Sequence, residues 1–472
     1  MSARHGVYAT QKATSVSTPV VAPSGIPFVI GAAPAFSAKS PSGAGEPVLC
    51  TSWDEFVEKL GWSDTWEDYN LCEFAYSHFK LYGCQPAIFC NLLDAATMKT
   101  NQDAETKTVS DHKVVLPLEA LVTDALIITT AGDSPSVLVK GTDYTAAYTE
   151  EGLVISLIAA SSYYSAASLS VSYDKATPAS VTATVVASGM ENIEKCMPCA
   201  GIIPDLICAP GYSHNSGVAA VMTAKAEKLS GLFAAKALLD LDTSAVTSYS
   251  AVAAAKNNAG FTAPEQIVCW PMLSLAGKKF HMSTQLAGRM ASIDAENGNP
   301  YESPSNKRFQ MDKLILADGT EVVQTKAQAD IVVNAGVVTA LNFLSSGWVC
   351  WGNYTAAYPS NTDVKDYFIP ISRMFGWVSN TMIQTFWSKL DKPLNRRLVD
   401  TILTTCNLWL NGLAGSEYVL GARCEMRDEE NPITDLMAGI IRLHIYMTPP
   451  SPAQEIDFTL EYDVSYLEEA FA

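Results

Sequence analysis

The residues of this 472-residue chain whose types could support catalysis or hold a metal are few. The histidines are His5, His78, His112, His214, His281 and His444, scattered without an HExxH pair, a paired His/Cys cluster or an EF-hand loop. The one CxxC is Cys196-Met-Pro-Cys199. A zinc site needs a second pair at suitable spacing, which Cys208 alone does not supply, and redox use needs a thioredoxin-like setting. No GxxxxGK[ST] and no GxGxxG after a strand is present, so no cofactor is expected.

The loop APGYSHNSG (209–217) lies between an apolar run and a helix-like run, where an α/β enzyme binds a ligand. His214 and Ser216 have the types for nucleophilic chemistry, but no GxSxG elbow and no matching acid accompanies them. The structural reading is a cap, with Asn215 or Ser216 starting a helix at Gly217. The stretch LDKPLNRRLVD places Lys392, Arg396 and Arg397 on an expected helix. They read either as a contact to an acidic partner or as a solvated face paired with Asp391 and Asp400. The balance of these signals is against an enzyme.

The elements that must carry these residues follow from composition and periodicity. Hydrophobic residues make up 48% and charged residues 17%, a globular composition long enough for about three domains. The net charge of −18, with no compensating basic cluster, disfavours nucleic acid and anionic membranes as partners. No apolar run is long enough for a membrane span, and the N-terminus lacks a signal-peptide core, so synthesis in a cytosol is the default. The eleven cysteines, mostly in apolar settings such as QIVCWP and GWVCWG, read as reduced core residues.

Residues 1–25 are small, β-branched and free of acids, an extended arm. Residues 26–93 form the first part of a core: the run IPFVI as a buried strand, a helix SWDEFVEKLG with Ser52 and Glu55 as a capping box, a helix over 71–81 and the strand PAIFCNLL. Residues 94–188 change character, with short alternating runs (ALIITT, SVLVKG, DYTAAY, LVISLI, SLSVSY) that predict an inserted antiparallel β-sandwich or barrel. In 189–343 continuous apolar strands alternate with helices, the pattern of a parallel sheet with crossovers. Over 344–454 a long helix is expected from 379 to 410, kinked or split by Pro393. The last segment, 455–472, opens with EIDFTLEYDV, which sets Ile456, Phe458, Leu460 and Tyr462 against Asp457, Thr459, Glu461 and Asp463 and predicts a half-buried strand.

Several phrases in collinear order carry a resemblance. They are HGVY with IPFVIGAAP, APGYSHNSGVAAVM, SPSNK, WGNYTAAYPS, FIPISRMFGWV, NRRLVD, LWLNGLAG, NPITDLMAG, TPPSPAQEIDFTLEYD and YLEEAFA. In this order the chain resembles the sheath proteins of contractile bacteriophage tails and R-type bacteriocins, over nearly its whole length except the β insertion. The resemblance implies an α+β and α/β multidomain fold: a subtilisin-like, non-catalytic α/β region at 189–343, a C-terminal region at 344–454 near a tail tube, an outward-facing insertion and linking arms at both ends. It implies a structural subunit that stacks as six-membered rings around the tube, contracts without nucleotide hydrolysis and drives the tube through an envelope. The implied partners are further copies of the chain, the tube protein, and baseplate and tail terminator proteins. The implied place is a virion tail or tail-like particle assembled in bacterial cytoplasm.

By the same resemblance, Val7, Tyr8, Thr10 and Lys12 in the N-terminal arm, and Ile456, Phe458, Leu460, Glu461, Tyr462 and Asp463 in the C-terminal arm, add strands to a neighbour's sheet. Lys392, Arg396 and Arg397 become candidate tube contacts. The N-terminal arm carries Arg4 and Lys12 and no acid, whereas 454–472 carries six acids and no base, so the two arms are expected to meet in one intermolecular sheet. An α/β hydrolase and another lattice-forming shell protein are the competing readings.

Overall fold

The computed structural model describes residues 19–132, 134–343 and 347–471. In chain order, β1 (Pro27–Gly31), β2 (Pro47–Cys50), α1 (Trp53–Leu60), α2 (Asn70–Ala75) and β3 (Ala87–Asn91) open the core. The six strands β4 (Lys99–Thr108), β5 (Lys113–Leu116), β6 (Ile127–Thr130), β7 (Tyr144–Thr149), β8 (Gly152–Leu157) and β9 (Ser168–Ala176) follow. Then come α3 (Ala183–Gly189), α4 (Cys196–Ala200), β10 (Leu206–Cys208), α5 (Ser216–Glu227), β11 (Lys236–Asp240), α6 (Val252–Asn258) and β12 (Gln266–Cys269). They lead to β13 (Met272–Leu275), β14 (Lys278–Phe280), α7 (Met282–Asn297), β15 (Lys313–Ile315), β16 (Glu321–Val322), α8 (Lys326–Asn334), β17 (Val337–Asn342) and β18 (Trp348–Trp351). The C-terminal part holds α9 (Val364–Tyr367), α10 (Ile369–Phe386), α11 (Arg396–Gly415), β19 (Gly421–Glu425), α12 (Ile433–Met437), β20 (His444–Thr448) and α13 (Ser465–Phe471).

An eight-stranded sheet, ordered β18-β17-β12-β11-β10-β1-β3-β2, is the spine. Its six inner strands run parallel, and β18 and β2 close the edges antiparallel. The inner strands β1, β3, β10, β11 and β12 are buried at every position, because helices cover both faces. That double cover is why they read in the sequence as unbroken apolar runs. Strands β4–β9 form two three-stranded antiparallel sheets, β4-β9-β6 and β5-β8-β7, around one shared core that includes Val114, Ile128, Leu153, Ile155 and Val171. SVLVKG makes only isolated bridges, Val137 to Thr129 and Lys140 to Tyr144, because the Asp143 carboxylate accepts the Val139 N–H at 2.8 Å and turns the chain.

Local expectations shift in places. Ser52 caps α1, but the Glu55 carboxylate accepts from the Thr51 N–H at 2.8 Å and not from the cap residue itself. The helix expected over 71–81 is α2 followed by a wider π turn over Tyr76–Leu81. The helix expected from 379 to 410 is two helices. α10 ends at Phe386, a 3-10 turn and Asp391 at φ 58° reverse the chain, and α11 begins after Pro393. Gly336, at φ 73°, makes the sharp turn from α8 into β17, where a Cβ would lie 2.3 Å from the Tyr358 carbonyl.

Candidate functional site

The ligand crevice of an open parallel sheet lies at the carboxyl ends of its strands, where the strand order reverses. Here the reversal falls between β1, which pairs with β3 on one side, and β10 on the other. Asn70, at the start of α2, fills the place. It is buried, accepts from the Ala32 N–H at 2.8 Å and donates to the Pro210 carbonyl. A Cβ on Gly31 would lie 2.3 Å from the Asn70 side chain, so the glycine is what lets the plug seat.

The polar residues nearby are tied to acids. Ser213 donates to Asp240 at 3.1 Å, and the Ser283 hydroxyl donates to the same carboxylate. The His281 ring contacts Glu73 at 2.9 Å, and its backbone N–H donates to Glu73 at 2.7 Å. Among the described residues, neither serine is hydrogen-bonded to a histidine ring. Asn215 caps α5 through the Gly217 and Val218 N–H groups, so of the two cap candidates it is Asn215, with the helix starting at Ser216. Cys196 is buried and Cys199 exposed on the short α4; all eleven cysteines are free thiols, ten of them buried. Burial pushes the Cys72 and Cys90 thiols up to about 12. No group of three or more His, Cys, Asp or Glu is placed to hold a metal among the described residues.

The His281–Glu73 pair has a testable pH signature. Burial opposes the imidazolium, but the Glu73 charge and hydrogen bond outweigh it and raise the His281 pKa to about 9. A folded pKa above the unfolded value of about 6.5 stabilises the fold fully below pH ~6.5, and this contribution is lost as pH rises through ~9. Unfolding free energy measured in urea should therefore fall between these limits, by an amount on the order of 3 kcal/mol at most. His281→Gln should flatten that slope, and an unchanged slope would assign it to other groups.

Arg373, on α10, ties three elements together. It donates to Asp294 of α7 at 3.0 Å and to Asp205, ahead of β10, at 2.9 Å. Burial works against the guanidinium charge, but the two carboxylates hold it firmly protonated, while burial pushes the Asp294 carboxyl up. Two buried lysines have no carboxylate in ion-pair contact among the described residues. Lys256 donates to the Ala335 and Tyr358 carbonyls at 2.8 and 2.6 Å, and Lys236 to Pro264 O and Ser372 Oγ at 2.8 and 2.7 Å. Burial lowers both to about 8.

The root of the N-terminal segment is fixed on α10 by side chains one turn apart. Thr385 accepts from the Val20 N–H at 3.0 Å, Thr381 accepts from the Ala22 N–H at 3.1 Å, and Trp377 donates to the Ala22 carbonyl at 2.8 Å. The Ile26 N–H then donates to Asp205 at 2.7 Å, which joins this strap to the Arg373 cluster. Val7, Tyr8, Thr10 and Lys12 lie outside the described residues.

At the other end the chain leaves β20 through Pro449, Pro450 and Pro452, and Tyr354 donates to the Gln454 side chain at 2.6 Å. Residues 455–463 form no strand, which corrects the expectation of a half-buried one: among the described residues no neighbouring strand lies beside them. Their apolar face is bare, with Ile456 71%, Phe458 85%, Leu460 94% and Tyr462 75% exposed. Glu461 and Asp463 are exposed as well. The Asp463 carboxyl is held low by hydrogen bonds from the Ser465 hydroxyl and N–H.

The basic stretch is arranged differently from the sequence expectation. Lys392 precedes the helix; Arg396 and Arg397 occupy the first turn of α11, the end where a cation is least favoured by the helix dipole. Arg396 lies 3.9 Å from Asp400 and is 95% exposed, too solvated a pair to hold the side chain. Exposed Trp387, Leu390 and Leu394 stand in the same turn, a mixed apolar and basic surface. Sequence reasoning took the basic residues without these apolar ones, although WSKLDKPL already interleaves them. It also passed over α12, held out between β19 and β20 by Asn431, with Ile433 and Met437 exposed. The string NPITDLMAG offered only a short apolar helix with no sign of which face would be bare.

No protein-family model matches the chain. It is 23% identical over 407 residues to the tail sheath protein of Burkholderia phage BcepMu, covering 82% of this chain and 83% of that one. It is 26% identical over 219 residues to the major tail sheath protein of Serratia phage KSP20, covering 45% and 54%. Its fold matches the helical sheath of the anti-feeding prophage in the contracted state with a TM-score of 0.60 at 13% identity, covering 98% of this chain and 100% of that one. No described helix is long and apolar enough to cross a membrane.

Proposed function

The chain is a relative of contractile tail sheath proteins, and from that kinship we propose that it is the structural subunit of a contractile sheath. Copies stack as six-membered rings around a tail tube, and the assembly shortens to drive the tube through a target envelope. The observation that carries this reading is the tail at 455–463, whose apolar face is bare and whose backbone has no partner among the described residues of its own chain. Such a segment is stable only when another chain supplies a sheet edge.

In this reading residues 1–25 and 455–472 are linking arms, 26–93 with the subtilisin-like 189–343 and the 344–454 region form the body, and 94–188 projects outward. An extended arm of twenty residues reaches about 65 Å, enough to cross to a neighbour. Domains move as rigid bodies during shortening while the arm joints persist. The tube protein meets Lys392, Arg396 and Arg397, and baseplate and terminator proteins meet the sheath ends. The particle is a virion tail or a tail-like relative, assembled in host cytoplasm. The occupied crevice at Asn70 weighs against the hydrolase reading.

Electron microscopy of the assembled protein tests the proposal: hollow, six-fold helical tubes are expected, and sheets or closed shells would replace it with another lattice. Deleting residues 1–20 should give soluble subunits without tubes. The charge pattern of the arms adds a further expectation. Glu461→Lys with Asp463→Lys should raise the concentration needed for assembly about tenfold, as read by sedimentation, because two cations then face an arm that carries Arg4 and Lys12. Assembly at the wild-type concentration would remove charge from the choice of partner.

A further inference from the structure

Sulfur is concentrated in one apolar layer of the C-terminal part. Cys406 on α11 and Cys424 on β19 are buried, at 2% and 5% exposure. Asn407, the next residue of α11, brings the two together: its side chain accepts from the Cys424 N–H and donates to the Cys424 carbonyl, each at 2.8 Å. The Cys406 thiol donates to the Met382 thioether of α10 at 3.6 Å and is in hydrogen-bond contact with the Cys424 thiol. Three sulfur atoms from three elements therefore converge, in a layer that also holds Trp377 and Leu410. Glu425 follows Cys424, but the alternation of a strand turns it to the other face. Among the described residues no His, Asp or further Cys joins the pair to make a group of three, so the third donor is a thioether.

We propose that Met382, Cys406 and Cys424 form a binding site for a soft monovalent cation, Cu(I). The donor set decides the class of ion. Calcium and magnesium take oxygen, and structural zinc takes four nitrogen or sulfur donors. Thiolate with thioether selects Cu(I). The Cys424 thiol gives up its proton first, because the Cys406 thiol can donate to the sulfur left behind. Each thiol that ligates releases its proton to solvent, so binding tightens as pH rises. Met382 is half-buried where both cysteines are buried, so the ion enters past the thioether. Thr381 and Thr385, on either side of Met382, hold the Val20–Ala22 strap. An ion here would fasten the helix that carries the strap to α11 and the β19–β20 hairpin.

The test uses the full chain, reduced and kept free of oxygen, with Cu(I) presented as its coloured complex with bicinchoninate. The protein should withdraw one equivalent of copper from the competitor and melt at a higher temperature once loaded. Cys406→Ser and Cys424→Ser should each withdraw none. Met382→Leu should bind at least about tenfold more weakly, the loss that even an outer-shell partner produces. Cys199→Ser, which removes the one exposed thiol, should still withdraw its equivalent. No copper withdrawn by the unmodified chain, or as much withdrawn by Cys406→Ser, would overturn the site. Met382→Leu binding as tightly as the unmodified chain would overturn the three-sulfur assignment. X-ray absorption at the copper edge of the loaded, unmodified protein needs no variant and serves should the serine chains fail to fold. Three sulfur neighbours are expected there, and nitrogen or oxygen neighbours would equally overturn the site.

Discussion

A chain ending at Gln454 is expected to fold with the stability of the full protein and to form no tubes. Among the described residues, 455–463 contribute no strand pairing and no core residue to their own subunit, so their removal should change the unfolding free energy by less than about 0.5 kcal/mol. The effect on assembly should be large. Burying four side chains such as Ile456, Phe458, Leu460 and Tyr462 is worth about 1.5 kcal/mol each at the low end, or on the order of 6 kcal/mol per joint. Ordering the segment costs part of that. A remainder of about 3 kcal/mol still corresponds to a factor above one hundred in the concentration needed for assembly. Sedimentation velocity across a concentration series, beside a thermal melt, reads both quantities. Tubes at the wild-type concentration would show that the tail is not the joint.

Replacing Arg373 by methionine is expected to have the largest effect on the fold itself, about 3–5 kcal/mol. The substitution keeps a long side chain but leaves two carboxylates, Asp294 and Asp205, without their cation, and the Asp294 side chain is fully buried. Asp205 also holds the Ile26 N–H, so strain there reaches the strap that positions the N-terminal segment. Arg373→Lys should not restore stability, because a single ammonium cannot reproduce the fork that reaches both acids. Arg373→Met combined with Asp294→Leu should recover much of the loss, since it removes a stranded charge as well. Urea denaturation measures each variant. A loss below about 1 kcal/mol for Arg373→Met would mean that water reaches the cluster and the charges are not truly buried.

The parallel sheet was readable because burial on both faces leaves strands such as PFVIG and KALLD almost wholly apolar, and the helices between them have their own period. The break between α10 and α11 was readable at Pro393, though not the extent of either helix, because the ends depend on what packs there. The basic stretch was found, but its helix placement was one residue class too generous: Lys392 belongs to the turn. The bond between Arg373, Asp294 and Asp205 was not readable, since the three are far apart in the chain and each alone looks like an ordinary surface charge.

Local chemistry alone therefore determined the apolar strands and the alternating helices of the main sheet, that the tail has one apolar and one acidic face, and that the two ends carry opposite charge. These follow from side chains acting on their nearest neighbours in sequence. Only the tertiary structure decided that the tail finds no partner among the described residues of its own chain, that Asn70 occupies the sheet's crevice, and that the Asn407 side chain bonds both the N–H and the carbonyl of Cys424 in β19. Each of these depends on which backbone groups are left unpaired once distant segments have packed, and a hydrogen bond's partner is set by distance in space and not by position along the chain.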